Sequence, residues 1–279
     1  MTAPFEKYPV TSVEAMLVGC MDKRLNRADM HGMNLYGISN AGGRFSPPSH
    51  EEHAGSTQIS YDTFLDRVEE AGKHGILAFS GHYDCVGVAR IWNAHQFGGC
   101  TDEACGHAHA KRPIIQSADR TLAREYGPLA DMVNAVINGA GNGFPHAERI
   151  NFLAKAKVLS NVNTALKHER IAKKIAEGDL AIVAYMEDPT TRPHQLLIYD
   201  PRRGSFVEGI PHKLSMLAQF PHQEEKFAIT APVDIEAYLH RNIGEVKTEL
   251  ETAPRQFAFD LPDQPDRRPP RPRLFSVKA

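Results

Sequence analysis

Apolar residues along the chain fall into two alternating kinds of pattern. Ala15-Met-Leu-Val-Gly19, Gly75-Ile-Leu-Ala-Phe-Ser80 and Leu180-Ala-Ile-Val-Ala-Tyr185 are short, nearly continuous apolar runs. Such runs are what strands buried on both faces of a parallel sheet look like. Asn34 to Ser39 reads as a further strand, and Gln195 to Tyr199 as one that pairs with 180–185 and returns through Asp200-Pro-Arg-Arg-Gly204. Between these runs the apolar spacing lengthens. Ile59, Phe64, Val68 and Ala71 sit at helical intervals, and Gly72 suits a helix C-cap. Val86 to Phe97 also reads as helix, as do two long stretches at roughly 119–138 and 147–177. Strands alternating with helices predict an α/β fold, with a mostly parallel β-sheet flanked by helices.

Other stretches break the pattern. Residues 1–12 read as an N-terminal arm, and the interval 44–55, with two prolines, two serines and a run of histidine and glutamate, as a loop. Residues 98–118 interrupt the alternation with glycine, cysteine and histidine and read as an insertion. After about residue 211 the signal weakens, leaving 212–279 as a C-terminal extension. Within it Ala231 to Glu245 reads as an amphipathic helix suited to packing on a partner subunit. Pro262 to Arg273, rich in proline and arginine, reads as a polyproline-like or solvated tail, or as a docking peptide for another protein. The division expected is therefore arm 1–12, principal domain 13–211 and extension 212–279.

Composition narrows the classes of function. The 279 residues include 32 basic and 34 acidic side chains, for a net charge of -2. A nucleic-acid reader usually carries a basic excess, so no nucleic-acid partner is expected. No run approaches the roughly 18 apolar residues of a membrane span. Met1 to Val10 lacks the basic and apolar regions of a signal peptide, so a cytoplasmic location is expected. Four cysteines in a chain of this length make no disulfide framework and raise the question of metal ligation.

Three residues carry that question. Cys20 ends one apolar strand, His82 ends another, and Cys85 follows three residues later where a helix would begin. Adjacent parallel strands ending on one edge bring such side chains together, where open α/β sheets place their sites. Two thiolates and one imidazole suit Zn²⁺, and three protein ligands leave a fourth position open, as catalytic zinc sites do. Spacing alone equally fits two ordinary buried cysteines and a loop histidine, because a single His-x-x-Cys is a weak signal.

The flanking residues add to it. Cys20-Met-Asp22-Lys-Arg24-Leu25, Asn40-Ala-Gly-Gly43, Ser60-Tyr61 and Gly81-His82-Tyr-Asp-Cys85 together resemble the β-class carbonic anhydrases, in order and in strand context. The resemblance covers roughly 13–90 and resumes at Asn161-Val-Asn163, Gly178, strand 180–186 and Gln195 to Asp200. It implies Cys20, His82 and Cys85 as zinc ligands, with Asp22 and Arg24 as a catalytic carboxylate–guanidinium dyad. In that role Arg24 keeps Asp22 ionised and oriented toward the zinc-bound water. A broken dyad would let Asp22 become a fourth ligand instead. The implied reaction is reversible hydration of carbon dioxide to bicarbonate and a proton by a zinc-bound hydroxide. The implied assembly is a homodimer or higher homo-oligomer. Two alternatives stay open: hydrolysis of carbonyl sulfide or carbon disulfide on the same zinc, and an inactive zinc-stabilised assembly protein.

The chain also departs from the family pattern. Ser39 stands where many members carry arginine, with Arg44 a candidate substitute, and Val86 follows Cys85 where glycine is usual. In the insertion, Cys100, Cys105, His107 and His109 fit either a second, closed zinc site or a polar loop. The metal count per chain separates the two.

Overall fold

A computed structural model describes residues 13–20, 34–40, 45, 54–70, 74–97, 113–141, 144–189, 195–208 and 226–252. Among these residues six strands form one sheet: β1 (Val13–Cys20), β2 (Asn34–Asn40), β3 (His74–His82), β4 (Leu180–Asp188), β5 (Gln195–Asp200) and β6 (Ser205–Glu208), in the order β2-β1-β3-β4-β5-β6. The first four are parallel to one another, and β5 and β6 extend the sheet antiparallel. The helices are α1 (Ala54–Val68), α2 (Val86–Phe97), α3 (Pro113–Ala140), α4 (His146–Leu166), α5 (Glu169–Glu177) and α6 (Ile235–Thr252).

The continuous apolar runs are strands covered on both faces, as expected of a parallel sheet. Every residue of β1 is buried, and so is all of β3 except Gly81. On one face Met16, Val18, Leu77, Phe79, Ile182, Ala184 and Met186 share the large core with the helices. On the other, Val13, Leu17, Ile76, Ala78, Val183 and Tyr185 form a smaller cluster with Leu196, Ile198 and Phe227.

Several boundaries differ from the sequence expectation. α1 ends at Val68, with a last helical bond from Glu69 N–H to the Leu65 carbonyl, three residues short of Ala71. The long stretch 147–177 is two helices. His168 adopts an extended conformation and caps α5, and Gly178, at φ 78°, closes it in the left-handed conformation that glycine accepts without strain. α3 begins at Pro113, within the stretch 98–118 that breaks the sequence pattern, at a position where a missing N–H costs a helix nothing. β6 was not anticipated. It follows a turn in which Asp200 Oδ1 accepts the Arg202 and Arg203 amides at 2.9 and 3.2 Å.

The C-terminal helix departs most. α6 does present an apolar face, but it spends that face on its own chain: Tyr238, Leu239 and Ile243 join the large core. Asp234 caps it through the Ala237 amide at 2.9 Å. Asn163 of α4 clamps the approach, donating to the Val233 carbonyl at 2.8 Å and accepting its amide at 2.7 Å. Residues 226–252 thus belong to the same core as the sheet.

Candidate metal centre

β1 and β3 are hydrogen-bonded parallel neighbours, so their C-terminal ends lie on one edge of the sheet. Cys20 is the last residue of β1 and His82 the last of β3. Cys85 directly precedes α2, and its carbonyl accepts the first helical bond, from Ala89 N–H at 2.9 Å. All three side chains are buried, and one potential ligand atom from each lies within 4.8 Å of the other two.

A tight turn presents Cys85 back toward β1. Asp84 takes a left-handed conformation at φ 53°, which aspartate tolerates better than most residues. The Tyr83 amide donates to the Glu187 carbonyl at 3.0 Å, and the Asp84 amide to Asn151 Oδ1 at 3.3 Å. Gly81 leaves no room for a side chain: a Cβ there would lie 2.6 Å from Met186 Sδ and 2.7 Å from Val158 Cγ2. The turn that leads to Cys85 is therefore packed directly against α4 and β4.

The donor set fits zinc. The Cys20 and Cys85 sulfurs are 3.8 Å apart, far beyond a disulfide bond of about 2.05 Å. Two thiolates each about 2.3 Å from a tetrahedral ion stand about 3.8 Å from one another. His82 Nδ1 lies 2.8 Å from the Tyr83 carbonyl oxygen. A carbonyl only accepts, so the proton is on Nδ1 and the lone pair on Nε2, the arrangement that prepares an imidazole as a ligand. In the protein alone, the Cys85 thiol is pushed well above its ordinary pKa by its contact with Cys20 and then by burial. The Val88 amide and Lys157 act in the opposite direction. A divalent ion supplies the positive charge that reverses this balance.

Three aromatic rings pack near the end of the sheet: Phe45 lies edge-on to Phe79 at 5.2 Å and is tilted against Tyr61 at 5.9 Å. Val86, at the first position of α2, is 45% exposed and lies at the surface beside Cys85. Asn161 accepts a hydrogen bond from the Tyr126 hydroxyl at 3.1 Å. Asp22, Arg24, Cys100, Cys105, His107 and His109 lie outside the described residues, as do Gly42, Gly43 and Arg44.

Two residues around the site had not been singled out. Asn151 had no legible signal, because it meets the turn across 67 positions of chain. Lys157 did have one: it is a single lysine inside the apolar run Ala156 to Leu159, and it is 2% exposed.

No family model matches the chain, and no curated protein sequence matches it. Solved structures do. The β-carbonic anhydrase CcaA superposes with a TM-score of 0.50 at 15% identity, covering 71% of this chain and 84% of that one. Tetrameric β-carbonic anhydrases of the filamentous ascomycete Sordaria macrospora match at 17% identity and TM-score 0.42, over 71% of this chain and 80% of theirs. The likeness to CcaA identifies the architecture as the β-carbonic-anhydrase fold.

Proposed function

We propose that this chain, with its β-carbonic-anhydrase fold, is a zinc enzyme that reversibly hydrates carbon dioxide to bicarbonate and a proton. The observation that carries the reading is the buried Cys20–His82–Cys85 cluster, with sulfurs 3.8 Å apart at the C-terminal edge of β1 and β3. When bound, zinc supplies the Lewis acidity that makes water a nucleophile near neutral pH.

The chain's own residues do the rest. Cys20 and Cys85 provide two anionic donors, and the Tyr83 carbonyl keeps His82 in the ligating tautomer. Burial of all three keeps competing solvent from the donors. Asp22 follows the ligand Cys20 by two positions. In this reading it accepts a hydrogen bond from the attacking water and Arg24 holds it ionised. The reading also entails a homodimer or larger homo-oligomer. It places the protein in the cytoplasm, where thiol ligands stay reduced. Among the described residues, no helix is long and apolar enough to cross a membrane.

Stopped-flow hydration of carbon dioxide by zinc-loaded protein tests the reading. Turnover well above the buffer rate is expected. Zinc-loaded protein without turnover on carbon dioxide would contradict it. Turnover of carbonyl sulfide or carbon disulfide by the same sample would then assign the site to that hydrolysis.

A further inference from the structure

At the sheet edge opposite the metal centre, α6 and the β5–β6 turn border a cleft of about 470 Å³, within the range of small-molecule sites. Its position follows from the register. β5 starts with Gln195 opposite Asp188, the last residue of β4, and runs back antiparallel. The turn after Asp200 therefore lies at the end where β3 and β4 begin, whereas Cys20 and His82 end their strands at the other. Much of the lining is apolar: Ile229, Pro232, Val233, Ala237 and the rings of Tyr199 and Tyr238.

Two polar groups converge on these apolar walls. Arg241 of α6 lines the cleft and is held against the turn, its Nη1 donating to the Arg203 carbonyl at 2.6 Å. Gly204, at φ 63°, leaves the space that the guanidinium fills, since a Cβ there would overlap Nη1. Asn242 fixes the same turn, donating to the Gly204 carbonyl at 3.2 Å. Among the described residues no carboxylate pairs with Arg241, so the other N–H groups of its fork keep their donor capacity. Tyr199 is the second group. It is 4% exposed, its ring packs edge-on against Phe206 and Tyr238, and its hydroxyl makes no hydrogen bond among the described residues. Burial raises the phenol above its ordinary pKa and the Arg241 charge opposes this. The hydroxyl is therefore a donor at neutral pH, within the field of the guanidinium. Arg202 adds a second guanidinium to the lining. Asp234, the one carboxylate among the described lining residues, accepts the Ala237 amide about two helical turns from Arg241.

We propose that this cleft is a binding site for a small organic carboxylate with an apolar body. The carboxylate accepts charge-assisted bonds from the Arg241 fork and a bond from the Tyr199 hydroxyl, while the body lies on the rings and aliphatic walls. Packing against Phe206 and Tyr238 needs only a phenylalanine, so the Tyr199 hydroxyl has no role in the fold that its ring does not already fill. A phosphate suits the cleft less well, because Asp234 shares the lining and the walls are apolar. The site is separate from the zinc reading and stands whether or not the cluster holds a metal.

Calorimetric titration of the full-length protein with naphthoate, compared with its neutral amide naphthamide, tests the site. Wild type should bind the acid more tightly than the amide by about 10-fold or more, the ratio set by a hydrogen bond to a charged group. Arg241→Gln should weaken naphthoate binding by about the same factor and leave naphthamide little changed. Tyr199→Phe keeps the ring packing and should weaken naphthoate binding by about 2- to 10-fold, the range of one hydrogen bond. Lys173→Gln, exposed on α5, is the control and should bind as wild type does.

Wild type that does not bind naphthoate, or binds acid and amide equally, overturns the proposal. So does unchanged naphthoate affinity in Arg241→Gln and Tyr199→Phe, which would place the carboxylate elsewhere, the metal centre included. An equal loss in Lys173→Gln would make the effect one of general surface charge and overturn the site. Displacement of naphthoate by an equal concentration of inorganic phosphate would overturn the ligand class. Thermal melting checks the fold of each variant; if Arg241→Gln does not fold, Tyr199→Phe decides the outcome.

Discussion

At the scale of single residues, the cluster depends on how closely its neighbours approach. Gly81 is the clearest case, because any side chain there meets Met186 and Val158 below 3 Å. Gly81→Ala should destabilise the fold by about 1–3 kcal/mol, the usual cost of overpacking a tight core. Urea denaturation of the two proteins would measure it. A variant as stable as wild type would mean that Met186 and Val158 move aside without cost. The three residues of the cluster were legible in the sequence. Cys20 and His82 end recognisable apolar strands, and His82-x-x-Cys85 is a local motif. Asn151 was not, because its contact arises from α4 crossing a turn more than sixty residues away.

Among the elements, β1, β3 and β4 could be read from composition because burial on both faces demands continuous apolar residues. The hairpin strand β6 could not, since Ser205-Phe-Val-Glu208 is four residues long and only half-buried for the most part. Its pairing is fixed by the Asp200 turn and by an aromatic cluster of Tyr199, Phe206 and Tyr238 with ring centres 5.4 to 6.1 Å apart. The helix α6 shows the limit of reading amphipathicity alone: the apolar face was legible, but what it packs against was not. Asn163 is the joint between α6 and the rest. Asn163→Ala removes both of its bonds to Val233 and should cost about 1–3 kcal/mol, the price of leaving backbone polar groups unsatisfied. Chemical denaturation would read this loss. A neutral effect would show that water replaces the side chain at that joint.

Taken as one molecule, the protein should respond to acid through a residue remote from the cluster. His74, at the opposite end of β3 from His82, is fully buried, and burial lowers its pKa to about 4 despite the opposing influence of Asp179 and the Gly178 backbone. In the unfolded chain a histidine titrates near 6.5. Between these values the unfolded state binds more protons than the folded one, so stability rises with pH. The contribution is fully present above about 6.5 and is lost as pH falls toward 4. Urea midpoints for wild type and His74→Gln should therefore diverge in their pH slopes across this window, with the variant flatter. Parallel slopes would remove His74 from the acid response.

The central claim concerns the three donors at the sheet edge, and metal content tests it most directly. Zinc per chain should be measured on wild type and Cys85→Ser purified side by side. The variant is expected to hold one zinc fewer per chain, whether or not residues 98–118 carry a second ion. Equal zinc content in the two proteins would contradict the assignment of Cys20, His82 and Cys85 as the metal centre.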